Sequence, residues 1–382
     1  MRDVEAQLGM PAAEAGERVL STARRYVEVE TPSRAVGAII ALSEMIEADL
    51  SAAGARIERR DAPGLGRNLL AHIDGSEPGL ESVLVLAHID TVHPVGTLAE
   101  RPFRIEDGRA FAPGIYDMKS GLACVVEALT LMKERGIRPR RPVRLLVTCD
   151  EEIGSHSARK DIETEAHRAA AVLVPEPCLP DGGAKTFRKG VATYRVETTG
   201  RAAHAGVDAA DPVSAITGLL HALRDILELA APERGTTINV GTIGGGTASN
   251  VIAAEAWATV DVRLARDGEG ERIHAAFSGL QPIHPRGGLE VRLTEARPPL
   301  LRSAAVAALY EQVRGLVAEL GVHLSEGASG GGSDGSLAAA TGAAVLDGLG
   351  PLGDGAHADH EHIVLSDLPF RLAFMARVLE RL

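Results

Sequence analysis

Three cysteines in 382 residues, Cys124, Cys149 and Cys178, are too few and too scattered for a disulfide framework, and none has the CxxC spacing of a thiolate metal site. Reduced thiols in a cytoplasmic protein are the expectation. Apolar runs are short, and none approaches the roughly 18 residues that a membrane span requires. The opening segment, MRDVEAQLGMPAAEAGERVL, carries acids throughout and has no apolar h-region, so no signal peptide is expected. Aromatic residues make up only 3% of the chain, and no basic run interleaves with them, which argues against nucleic-acid binding. Internal repeats and low-complexity linkers are also missing. What is present is an ordinary globular composition, 45% hydrophobic and 24% charged. Its net charge of −12 disfavours polyanionic partners.

This length predicts two domains. Residues 14–55 read as two helices, broken at TPSR. NLLAHID (68–74) and SVLVLAHID (82–90) read as strands, the second apolar throughout, as a strand covered on both faces is. SGLACVVEALTLMKERG (120–136) reads as an amphipathic helix closed by Gly136. PVRLLVTCDEE (142–152) and AAAVLVPEP (169–177) return to buried strands. This alternation predicts an α/β fold, a mostly parallel sheet with helices on both faces. From Lys189 the pattern alternates as half-exposed antiparallel strands do, with helices expected at about 211–230 and 269–280. A β-α-β-β-α-β arrangement follows, an α+β ferredoxin-like insertion. The boundaries expected are 1–188 and 301–382 for the larger domain and 189–300 for the insertion.

The acids and histidines fall at the carboxyl ends of the buried strands, the edge at which open α/β sheets bind ligands. His88 and Asp90 end one strand, and Asp90 can orient the imidazole. Asp117 precedes a helix, where it suits either an N-cap or a carboxylate ligand. Asp150, Glu151 and Glu152 close another strand, as a solvated acidic turn or as a metal ligand beside a general base. Glu176 stands between two prolines, and His357 shares its loop with His360 and His362, so the spacing alone does not choose the ligating imidazole. Two imidazoles with three carboxylates suit zinc, cobalt or manganese. His204 and Arg263 read equally as surface residues, and SGGGSDG (329–335) as a turn or an anion cradle.

In this order, AHIDTVHPVG, PGIYDMKSGLA, TCDEEIGS, VPEP, GRAAHAGV, NVGTIGGGTASNVIAAEAWATVDVR, GGGSDG and GDGAHADHEHI resemble the zinc metallopeptidase family of glutamate carboxypeptidase, acetylornithine deacetylase and succinyl-diaminopimelate desuccinylase. The resemblance runs from about residue 17 to the C-terminus and is closest to the glutamate carboxypeptidase branch. It implies a zinc-exopeptidase-like catalytic domain with an inserted dimerisation or lid domain, and a homodimer. It further implies two zinc ions per subunit, one held by His88, Asp117 and Glu176, the other by Glu152, Asp117 and His357. Glu151 would be the general base and Asp90 the group orienting His88. A cis peptide is implied at Asp117–Met118. His204 would stabilise the oxyanion across the dimer, and Arg263, Asn250 and Gly331 would grip the substrate carboxylate. Segment 185–192, with Lys185, Arg188 and Lys189, is more basic than the family pattern.

The activity implied is hydrolysis of an amide bond next to a free carboxylate in a small peptide or N-acyl amino acid. An N-acyl-amino-acid deacylase or dipeptidase is the alternative. A protein that only bound such molecules would have no need of Glu151.

Overall fold

The structure, a computed structural model, describes residues 2–77, 79–207 and 212–382. The chain divides into two compact units, Met1–Phe187 with Leu300–Ser329 and Ser333–Leu382, and Arg188–Pro299 with Gly330–Gly332.

The first unit is built on an eight-stranded sheet. Its strands are β1 (Arg56–Ala62), β2 (Gly66–Ile73), β3 (Ser82–His88), β4 (Val143–Thr148), β5 (Ala169–Val174), β6 (Ala184–Arg188), β7 (Glu326–Ser329) and β8 (Val345–Asp347). The spatial order is β1-β2-β4-β3-β5-β8-β6-β7. Only the centre is parallel, with β3 between β4 and β5 and β8 beside β5. The pairs β1–β2, β2–β4 and β8–β6 are antiparallel. The sheet is therefore mixed, a correction to the mostly parallel sheet predicted. Connection length accounts for the β1–β2 pair. Residues 63–65 between β1 and β2 allow only a hairpin, whereas the parallel neighbours β3 and β4 are joined by a helical crossover through Ser120–Glu134.

Every residue of β3 is buried. Val83, Val85 and Ala87 pack into a core shared with helices Ala12–Val27, Ser120–Glu134 and Leu368–Arg381. Leu84 and Leu86 point the other way, into a second core with Ile162 and Leu337. Two covered faces explain the unbroken apolar run, each such side chain contributing about 1.5–3 kcal/mol. The helix Ser120–Glu134 stops where Gly136 turns to φ +66°, as its sequence predicts.

The second unit runs strand, helix, strand, strand, helix, strand apart from a two-residue pairing of Ala203–His204 with Val251–Ile252. Its four-stranded antiparallel sheet places Thr237–Gly245 at one edge, then Glu255–Leu264, Gly190–Thr199 and Gly288–Arg297. Residues alternate along Glu255–Leu264, with Ala256, Ala258, Val260, Val262 and Leu264 buried. They pack with Leu219 and Ile226 of helix Ala215–Leu227 and Phe277 of helix Glu269–Ser278. Asp211, where the first of these helices is expected to begin, lies outside the described residues.

Cys124, Cys149 and Cys178 are buried free thiols. Among the described residues no helix is long and apolar enough to cross a membrane.

Candidate active site

Parallel strands in register deliver their carboxyl ends to one edge. His88 is the last residue of β3 and pairs in register with Thr148, the last of β4. Glu151 and Glu152 stand in the short turn Glu151–Ile153 beyond β4, and Glu176 two residues beyond β5. Asp117 comes from the irregular segment Ile115–Lys119, and the Asp117–Met118 peptide is cis, as the resemblance implies.

These side chains meet. His88 Nε2 lies 3.2 Å from Asp117 Oδ1 and 3.4 Å from Glu176 Oε1. His357 Nε2 lies 3.4 Å from Asp117 Oδ2 and 3.2 Å from Glu152 Oε2. Asp117 thus turns one carboxylate oxygen to each imidazole. Of the three histidines in its loop, His357 is the one that reaches these carboxylates, at a backbone φ of +65°. His362 instead rests on the Phe111 ring, 5.0 Å between centroids, with its Nδ1 2.8 Å from the His360 carbonyl.

Asp90 faces His88 with both its carbonyl and its carboxylate. The strand ends at His88, and the His88 Nδ1 is 3.0 Å from the Asp90 carbonyl but 3.5 Å from its carboxylate. That carboxylate accepts the peptide N–H groups of Glu151 and Glu152, at 3.0 and 3.2 Å, and the Ser33 hydroxyl at 2.7 Å. It fixes the turn that carries both glutamates. Asp150 is spent on Ser157, whose N–H and hydroxyl donate to it at 2.7 and 2.9 Å.

Glu361 was hidden in the sequence, one of two acids among the histidines of GAHADHEHI. It is buried, and its Oε1 accepts the N–H groups of Tyr116 and Asp117 at 2.9 and 3.0 Å. Its Oε2 takes the Gly114 N–H and approaches His93 Nε2, both at 2.8 Å. Lys119, also buried, donates to the Val29 carbonyl at 2.9 Å, and burial pulls its pKa down to about 7.

Electrostatics mark the cluster as short of positive charge. Burial pushes the Glu152 carboxyl up to about 8, against its hydrogen bond with His357. Hydrogen bonds to Asp117 and Glu152 raise His357 to about 11. Glu152 Oε1 is buried and has no hydrogen-bond partner.

In the second unit, His204 is exposed, with its Nδ1 accepting the Gly206 N–H at 3.1 Å. It faces Val251 across the strand pair, next to exposed Asn250, whose carbonyl accepts the Ala205 N–H at 3.0 Å. Arg263 bonds to Asp261 at 2.8 Å and to the Gly330 carbonyl at 3.3 Å. Arg188 Nη1 reaches the carbonyls of Gly331 and Gly332 at 3.3 and 3.1 Å. Two guanidinium groups therefore pin the glycine loop by its carbonyls. Arg188 and Lys185 are both buried.

The model of Peptidase family M20/M25/M40 matches residues 84–381. The chain belongs to this family. It is 32% identical over 371 residues to carboxypeptidase G2 of Pseudomonas sp. (strain RS-16), covering 94% of this chain and 88% of that protein. It is 30% identical over 318 residues to the succinyl-diaminopimelate desuccinylase of Alkalilimnicola ehrlichii, covering 77% and 82%. Its fold matches aminopeptidase PepT from Bacillus cereus with a TM-score of 0.78 over 96% of this chain and 98% of that one, at 22% identity.

Membership of the M20 hydrolases implies use of a divalent metal, and the residues present fit one. His88, Asp117 and Glu152 offer ligand atoms that all lie within 4.8 Å of one another. Imidazole and carboxylate donors with one unsatisfied buried oxygen are the partners that zinc, cobalt or manganese takes.

Proposed function

We propose that this M20 hydrolase cleaves the amide bond next to a free carboxylate, as a glutamate carboxypeptidase-like exopeptidase with two zinc ions per subunit. The observation that carries the reading is the division of Asp117. One of its oxygens faces His88, which also approaches Glu176, and the other faces His357, which also approaches Glu152, so Asp117 would be the bridge between two ions. His88, Asp117 and Glu176 would hold one ion and Glu152, Asp117 and His357 the other. Bound there, the ions supply Lewis acidity, polarising a carbonyl and making water a stronger acid.

The protein's own groups do the rest. Glu151, on the same turn as Glu152, takes the proton of the attacking water and returns it to the leaving amine. The Asp90 carboxylate holds that turn through the two peptide N–H groups. His204 donates to the developing oxyanion, and Arg263, Asn250 and the Gly331 loop bind the substrate carboxylate.

The second unit would be the dimerisation module. Its outermost strand Thr237–Gly245 exposes Ile243, and helix Ala215–Leu227 exposes Ile216, Leu220 and Leu227. An unpaired strand edge beside an apolar helix face is suited to a second copy of the chain.

Identity with a desuccinylase favours a second reading, N-acyl-amino-acid deacylation. A screen of N-acylated and γ-linked glutamate, aspartate and neutral amino acids with zinc tests both. Preference for C-terminal glutamate supports the first, and release of acyl groups from neutral amino acids without that preference the second. No hydrolysis of any of them overturns both.

A further inference from the structure

Glu361 has a place in this fold that the ligand set does not account for. Its carboxylate is buried, lies four residues beyond His357, and meets four N–H groups from two other segments. Three are the peptide donors of Gly114, Tyr116 and Asp117, so the backbone that presents the Asp117 side chain is fastened at three points. The fourth is His93, in the loop that follows His88 and Asp90. One side chain therefore joins the three segments that carry His88, Asp117 and His357.

Two of these segments are irregular. Strand pairing covers only Gly353–Asp354 of 353–361, and within Ile115–Lys119 both Asp117 and Met118 depart from helical geometry. Buried peptide N–H groups need acceptors, and here a single carboxylate is the acceptor for three of them. Charge-assisted bonds of this kind are shorter and about twice as strong as neutral ones. A shift in Glu361 would be transmitted to both carboxylate oxygens of Asp117 and to His357 at once.

We propose that Glu361, oriented by His93, is the positioning residue that sets the Asp117 carboxylate between His88 and His357. The inference rests on the two-ion reading of that cluster. Glu361 touches neither substrate nor ion and acts through the backbone of residues 114–117.

The test compares wild type with Glu361→Gln, which keeps the shape but leaves one acceptor oxygen for the four donors, and with His93→Gln, which removes only the orienting contact. Amide exchange over residues 112–119 is followed in metal-free protein. Zinc affinity is read by chelator competition, and the visible spectrum of the cobalt-loaded protein reports ligand geometry. Expected for Glu361→Gln are faster exchange confined to this segment, an altered cobalt spectrum and zinc binding weakened by roughly 10–100-fold, the range for groups that orient ligands. His93→Gln should show the same changes at smaller size, and it decides the matter if Glu361→Gln does not fold. Unchanged exchange over 112–119 overturns the clamp, whether or not metal binds. Faster exchange with an unchanged cobalt spectrum and zinc affinity also overturns it, because the residue would then be structural only. Wild-type protein that binds no zinc or cobalt would instead defeat the two-ion reading, and with it Glu361's role in setting the ligands.

Discussion

The peptide N–H of Glu151 donates to Asp90 Oδ1 across 3.0 Å, so the end of one central strand holds the turn at the end of its neighbour. The proposed base is thus placed through its backbone. Glu151→Gln keeps this bond. It should lower kcat by about a hundredfold or more, the usual contribution of general base catalysis, with zinc content unchanged. Steady-state kinetics alongside elemental analysis checks this, and retained turnover would remove Glu151 from the role.

Asp117 offers one oxygen to each imidazole. Asp117→Ala should therefore lower the metal content from two ions per chain to one or none, measured by elemental analysis after dialysis. Removing metal from wild type with a chelator should abolish activity, and zinc should restore it. Two ions retained in Asp117→Ala would contradict a bridge.

His204 is exposed in the second unit. If it serves the partner's site, mixed dimers of His204→Ala and Glu151→Gln subunits should recover about a quarter to a half of wild-type activity, although each parent is nearly inactive. Proven heterodimers without recovery would confine His204 to its own subunit.

Gly121, in the first turn of helix Ser120–Glu134, lies against the backbone that leads to Glu176. A Cβ there would sit 1.9 Å from the Pro175 carbonyl oxygen. Gly121→Ala should cost about 1–3 kcal/mol of stability, as overpacking does, and should weaken zinc binding as Glu176 is displaced. Thermal unfolding of the metal-free protein and chelator competition read the two effects separately.

Glu269 is buried in the second unit, where hydrogen bonds from Arg272, against the cost of burial, hold its carboxyl at about 2. A carboxyl held below its unfolded value stabilises the fold above that value, near pH 4.3, and stops doing so as pH falls through about 2. Glu269→Gln should lower Tm by several degrees at pH 7. The gap from wild type should narrow steadily between about pH 5 and pH 2 in thermal melts. A gap independent of pH would show that charge plays no part.

Much of this molecule is legible in its sequence because burial leaves a pattern. The run SVLVLAH reads as a strand covered on both faces, and β3 is one. The acids after β4 and β5 stand out because charge follows immediately on apolar residues. Other features leave no such trace. β1, with the sequence RIERRDA, is a charged edge strand without apolar alternation, and the antiparallel flank follows from pairings that local sequence does not encode. Glu361 is a surface acid by composition and a buried acceptor only after distant segments close over it. The Asp90 carboxylate likewise finds its partners on a different strand end.

The second unit closes on carbonyls that arrive from far downstream. Arg263 and Arg188 end on Gly330, Gly331 and Gly332, thirty residues after the rest of the unit is complete. Such a unit is not a cassette. Excised at residues 188–299, it would leave two guanidinium groups without these acceptors, so transplanting it into another scaffold requires a graft that carries the glycine triplet with it.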